Sequence, residues 1–156
     1  MMMFLVHVAF AGKLADGWRG HPYGSIAWLA EPPFEGCAKD PGTGVAWNCS
    51  EDVGGVTVAV AYMVEEGTYT GVRIQCDGYL NCSTLRTTLI AAWGKPLVAK
   101  EYGQLPDMTW ADGNVLCGWQ YNQFSEAGSA TVFDKVIYDR MKRKKEASAA
   151  EAAKGL

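Results

Sequence analysis

The stretch from Val56 to Cys76 limits what this chain can fold into more than any other. Val56, Val58, Val60, Tyr62 and Val64 fall on one side of an extended segment, and Thr57, Ala59, Ala61 and Met63 on the other. That is the period of two of a strand with one buried face. Glu65-Glu66-Gly67 reads as a tight turn, after which Tyr69 to Cys76 returns with Tyr69, Gly71, Arg73 and Gln75 opposite Thr70, Val72, Ile74 and Cys76. A helix follows at once. Asn81 or Ser83 is the expected N-cap, and Leu85, Leu89, Ala92 and Trp93 recur at spacings of three and four, a stripe suited to lie on a sheet. Gly94 ends the helix and Pro96 prevents its continuation, while Arg86, Thr87 and Thr88 take the outer side.

The flanking segments repeat this alternation of helix and strands. Met1 to Ala11 reads either as a buried first strand or as the remnant of an export signal ending in Ala9-Phe10-Ala11, without a positive leading region. Ser25 is placed to cap a short helix over Ile26–Ala30 that Pro32-Pro33 stops, and Phe34 to Gly44 reads as loop. Val45–Cys49 is a short strand. Leu97–Tyr102 is extended, and Met108–Ala111 joins Val115–Tyr121 through an Asp112-Gly113-Asn114 turn, with Val115, Cys117, Trp119 and Tyr121 on one side. Ser129–Phe133 is a last strand and Asp134 the cap of a terminal helix, whose turns from residue 141 onward have no core face and project into solvent. Residues 20–76 and 77–140 share an order of parts, helix then strands, with Trp47, Tyr62 and Glu66-Gly67 matched by Trp110, Tyr121 and Glu126. The expected fold is α+β: an antiparallel sheet with a central packed helix, built as two tandem helix-plus-strands halves over 1–140, with a C-terminal helix.

A chain of 156 residues, 49% hydrophobic and 20% charged, fits one domain, and no apolar run is long enough for a membrane span. Cysteine spacing favours pairing Cys37 with Cys49 and Cys76 with Cys82, leaving Cys117 over; such bridges place a protein in an oxidising compartment, periplasmic or secreted. The alternative is five buried thiols in a cytoplasmic protein. Charge is uneven, since residues 139–156 carry six Lys or Arg against three Asp or Glu in a chain of net charge −3. Arg140, Lys142, Arg143, Lys144 and Lys145 form a basic tail that invites a polyanion, but the acidic body and the lack of any nucleic-acid motif speak against nucleic acid.

No cofactor signature occurs, and no C-x-x-C or grouped histidines point to a metal. Cys117 is the one conceivable nucleophile, with His21 or His7 as base, but it alternates with Val115 and Trp119 on the inward side of a strand, where cysteines are inert. Glu65 and Glu66 sit at a hairpin tip, where solvation explains them. Of six tryptophans and seven tyrosines, Trp18, Tyr23 and Trp47 lie in loops or at the ends of short strands and are expected to be exposed; with His21 they are the candidate ligand or partner residues.

The run from Gly55 to Ile74, the helix closing in Trp93-Gly94-Lys95-Pro96, and the Thr109-Trp110-Ala111-Asp112-Gly113 hairpin resemble small bacterial envelope proteins of the β-lactamase-inhibitor-protein-like kind, with their tandem helix-plus-antiparallel-sheet build. That resemblance implies a secreted or periplasmic binding role and supplies no catalytic residue. The expected function is therefore non-catalytic binding of a protein or small-molecule partner. The surface is the open sheet face or the loops at 18–24 and 34–50. A small hydrolase using Cys117 and a polyanion binder using the tail are the alternatives, and pairing of two copies through a sheet face or edge is a further expectation.

Overall fold

A computed structural model describes residues 14–24, 32, 35–40, 44–99 and 102–156. The segments read as a first strand or signal remnant (1–11) and as a short helix (25–30) lie outside the described residues. A single 3-10 turn, Leu14–Asp16, leads in. Among the described residues eight strands follow in two meanders: β1 (Cys37–Lys39), β2 (Val45–Val53), β3 (Val56–Glu65) and β4 (Thr68–Asp77), then β5 (Val98–Ala99), β6 (Met108–Asp112), β7 (Val115–Asn122) and β8 (Ala127–Asp134). Helix α1 (Tyr79–Trp93) links the meanders and α2 (Lys135–Ala153) closes the chain. All eight strands form one antiparallel sheet in the order β1-β2-β3-β4-β8-β7-β6-β5. The order reads alike from either edge, each meander ending in a strand at the centre and running on into a helix. The α+β class, the central helix and the C-terminal helix expected from the sequence are all present.

One face of the sheet carries the core. Val56, Val58, Val60 and Tyr62 of β3 meet Val72, Ile74 and Cys76 of β4, Ala130 and Val132 of β8, and Val115, Cys117 and Trp119 of β7, all buried. Helix α1 covers them with Cys82, Leu85 and Leu89, each 0% exposed. Burying each leucine contributes roughly 1.5–3 kcal/mol. The pattern breaks at Val64, which is only half buried, because the β3–β4 register shifts between Met63 and Val64. The shift leaves Thr70 as the extra residue between the pairs Met63–Gly71 and Val64–Tyr69, and so brings Tyr69 round to the core face at 0% exposure. The Thr70 hydroxyl donates to the Met63 carbonyl at 3.2 Å.

Three local expectations need correction. Neither Asn81 nor Ser83 caps α1: Gly78 is its N-cap without a side-chain bond, and the Asn81 amide donates to the Asp77 carbonyl inside the first turn. What fixes this helix start is the Cys76–Cys82 disulfide, which ties the last turn of β4 to the first turn of α1. The loop expected over 34–44 contains β1, held to β2 by a disulfide between directly opposed Cys37 and Cys49. Strand β2 runs four residues past Cys49 to Val53, through Ser50-Glu51-Asp52. Asp134 does cap α2, accepting from the Ile137 amide at 3.0 Å. From Lys142 onward α2 is exposed, but it is tethered, since Lys144 pairs with Glu66 and Lys145 with Glu65 at the β3–β4 turn.

Candidate functional site

The residues singled out in the sequence do come together, but inside the protein. Trp18 is 3% exposed and Trp47 8%, which overturns their expected exposure; His21 and Tyr23 are half buried. The reason is Glu51. It sits on the inward side of β2 with Trp47, Cys49 and Val53, where alternation calls for an apolar residue, and is 6% exposed. A buried carboxylate needs partners. Glu51 accepts from Tyr62 Oη at 2.7 Å, Arg19 Nε at 2.8 Å and Trp18 Nε1 at 3.3 Å. Arg19 also donates to the Asp52 carbonyl at 2.8 Å. Trp47 lies opposite Tyr62 in the β2–β3 register, the His21 ring meets the Tyr62 ring edge-on at 6.2 Å, and Tyr23 stacks on Tyr69 at 5.3 Å.

Reaching Glu51 costs the backbone. Trp18-Arg19-Gly20-His21 is a tight turn closed by the His21 amide on the Trp18 carbonyl at 3.0 Å, and Arg19 adopts φ 52°. Such a left-handed conformation costs a non-glycine residue roughly 1–2 kcal/mol and persists only where the surroundings impose it. Gly17 has no alternative residue, because a Cβ there would lie 2.0 Å from the His21 carbonyl oxygen. Burial pushes the Tyr62 hydroxyl well above its ordinary range, with the Glu51 charge and hydrogen bond adding to it; burial also holds His21 below its ordinary value, with Glu51 acting the other way. Burial and Glu51 together keep Tyr62 protonated as a donor, whereas at His21 burial outweighs the opposing pull of the Glu51 charge. The cluster is an anchor that pins the Trp18–His21 turn to the sheet.

Cys117 is 0% exposed and its thiol is pushed far up by burial, the opposite of the electropositive, accessible setting of a nucleophilic cysteine. The basic tail is partly spent: Lys144 and Lys145 are ion-paired to Glu66 and Glu65, and Lys142 lies 4.0 Å from Glu146. Arg140 and Arg143 have no ion-pair partner among the described residues. Among the described residues no three His, Cys, Asp or Glu side chains gather to hold a metal ion, and no helix is long and apolar enough to cross a membrane.

The outer face of the sheet is different. Ser129, Thr131 and Phe133 of β8 alternate with the buried Ala130 and Val132, and Gly118 and Gln120 of β7 with Cys117 and Trp119, so they face away from α1. Register puts Gly118 beside Thr131 and Gln120 beside Ser129. Three depressions lie in line over these strands. The first, about 550 Å³, is walled by Tyr102, Gln104 and Phe124 and shares Asp107, Gln120 and Ser129 with the second, about 270 Å³. The second shares Thr131 and Phe133 with the third, about 780 Å³, which ends against Met63, Tyr138 and Lys145. Tyr138 of α2 leans on Phe133 at 5.2 Å between ring centres, so α2 closes that end. Together they form a groove that follows β8 for roughly 20 Å at the usual rise of a strand.

The chain matches no protein-family model, no curated protein and no solved structure. The groove therefore has to be read from its own chemistry. Its floor is small and uncharged, and its two larger depressions, about 550 and 780 Å³, fall within the range of about 300–1,000 Å³ typical of ligand sites. Sequence reasoning placed recognition on the open sheet face or in two loops without naming the groove residues. Glu51 carried a legible signal, a charge at an inward position of an alternating run, hidden only by ending β2 at Cys49.

Proposed function

We propose that the chain is a binding module that takes its ligand in the groove on the open face of the sheet. The observation that carries this reading is the continuity of the three depressions along β7 and β8 over a floor of Gly118, Ser129 and Thr131. An outer face with no binding role has no need of a trough between an aromatic rim and a helix. The rigid support beneath it favours recognition as well, since a preformed site loses less entropy on binding. Two cysteine pairs at bonding distance support an oxidising environment, in keeping with the secreted or periplasmic role implied by the envelope-protein resemblance.

The groove is tested by a fragment screen followed by two-dimensional amide NMR. Hits are expected to move the resonances of Gly118, Gln120, Ser129 and Thr131 together. Gly118→Trp should abolish those shifts, with an unchanged melting temperature as the control for an intact fold; a Cβ at Gly118 meets nothing within 4 Å. Hits scattered over the surface, or gathered on the α1 side, would refute the reading.

A further inference from the structure

The end of the groove at the β7–β8 turn has a chemistry of its own. Phe124 is 91% exposed and Tyr102 70%, two flat aromatic faces held in water at the rim of the 550 Å³ depression. Single exposed apolar side chains are ordinary, but two aromatic ones walling the same depression suit a partner that has apolar faces. The polar lining beside them is mainly carboxamide: Gln104, Gln120 and Gln123. Among the described residues of the lining Asp107 is the one charged side chain, and none is Lys, Arg or His. A phosphate, a nucleotide or an acidic peptide finds nothing there to balance its charge.

Carboxamides offer two N–H donors and an accepting oxygen side by side. Their natural complement is a neutral ligand whose neighbouring hydroxyls each donate and accept. Aromatic faces are negative at the centre and attract weakly positive C–H groups. A pyranose ring joins the two requirements, with axial C–H groups on its flat sides and hydroxyls around its edge. We propose that this end of the groove is a saccharide site, which stacks sugar rings on Phe124 and Tyr102 and holds their hydroxyls with Gln104, Gln120 and Gln123. The inference rests on the groove being the binding surface. Because the groove continues past Ser129 and Gly118 toward Thr131, the ligand is a neutral oligosaccharide of several units.

The turn that presents Phe124 is built to stay in place. Asn122 Oδ1 accepts from the amides of Phe124 at 2.9 Å and Ser125 at 3.3 Å. Glu126 adopts φ 51°, and its carbonyl accepts from the Gly78 amide at 2.8 Å. Gly78 starts α1 between the two halves of the Cys76–Cys82 disulfide. A platform tied down in this way binds a stiff sugar chain with little further ordering.

The experiment titrates the full-length, disulfide-intact protein with an array of neutral oligosaccharides, including cellohexaose, chitohexaose and maltohexaose, and separately with a pool of capped, uncharged hexapeptides. Amide and carboxamide resonances are followed by NMR. At least one glycan should shift Gln120, Phe124 and Ser129 and the side-chain NH₂ of Gln104 and Gln120 in a saturable way. Phe124→Ala with Tyr102→Ala should weaken it by about tenfold or more, and Gln120→Ala by about threefold, with melting temperature unchanged. Saturable glycan binding that ignores these substitutions would put the site elsewhere and overturn the proposal. Peptides that shift the groove where no glycan does would overturn the saccharide assignment and leave the groove reading standing. If glycans, peptides and fragments all fail to touch the groove, both fall.

Discussion

Replacing Glu51 by Ala removes the one acceptor shared by three donors. The Tyr62 hydroxyl, on a side chain 0% exposed, and the Trp18 indole N–H, on one 3% exposed, are left without it. Each buried donor that loses this acceptor costs up to about 1–3 kcal/mol. Arg19 loses its ion pair, for which breaking a buried partner costs about 3–5 kcal/mol. Its side chain is 20% exposed, however, and keeps its bond to the Asp52 carbonyl, so its share belongs well below that range. Because the three donors share one carboxylate their costs do not add, and a total of about 3–5 kcal/mol follows. At roughly 2–4 °C per kcal/mol for a domain of this size, the melting temperature should fall by about 6–20 °C. Urea unfolding with the disulfides intact measures it, and an unchanged denaturant slope shows that the loss lies in stability. Glu51→Gln, which keeps an acceptor for Tyr62, should lose about half as much. A cycle with Arg19→Ala should give a coupling of about 1 kcal/mol or more. An Ala variant within about 1 kcal/mol of the parent would refute the account of Glu51 as the anchor of the Trp18–His21 turn.

His21 adds a pH dependence of defined sign. Its folded pKa lies below the ordinary 6.5, so the unfolded chain takes the proton first; the stability it contributes is full above about 6.5 and declines as pH falls toward the folded value. Urea midpoints between pH 8 and 5 should drop on the acid side, and His21→Gln should flatten that drop; an unaltered slope rejects the assignment. Gly128→Ala should cost about 1–3 kcal/mol, since its Cβ would sit 2.9 Å from both Cys76 Sγ and the Trp119 ring, whereas Gly118→Ala should stay within about 0.5 kcal/mol. Equal effects in thermal melts would show that the two faces are not as different as described. Without reductant, alkylation of the native protein should add no label, and alkylation after unfolding should add one, at Cys117, by mass spectrometry; any other count denies the pairing.

What the sequence disclosed was the inward half of each strand. Alternation gave the β3–β4 hairpin, the buried side of β7 and the Leu85–Leu89 stripe because an apolar face has one place to go. It misjudged Val64 and Tyr69, since the extra residue at Thr70 shifts the register without any turn residue to mark it. It missed β1, whose three residues are held by pairing and a disulfide and carry no hydrophobic pattern. The expected exposure of Trp18 fails for a related reason. A loop tryptophan flanked by glycines is solvent-facing by local signs, and long-range contacts, the bond to Glu51 33 residues away and the edge-on packing against Trp93, hold it inside.

The groove was illegible for a deeper reason. Gly118, Gln120, Ser129 and Thr131 form no motif, and each is an unremarkable outward residue of a strand. They become a floor only because β7 and β8 pair with Gly118 opposite Thr131 and Gln120 opposite Ser129. That register is set on the other side of the sheet, where Cys117 must meet Val132 and Trp119 must meet Ala130 in the core. A slip of one residue would turn every one of these side chains over. The face that carries stability therefore also writes the face that carries recognition. Substitutions on the inner face, such as Gly128→Ala beneath Trp119, should disturb binding through register and turn geometry, while outer-face changes at Gly118 or Phe124 should alter binding and leave stability alone.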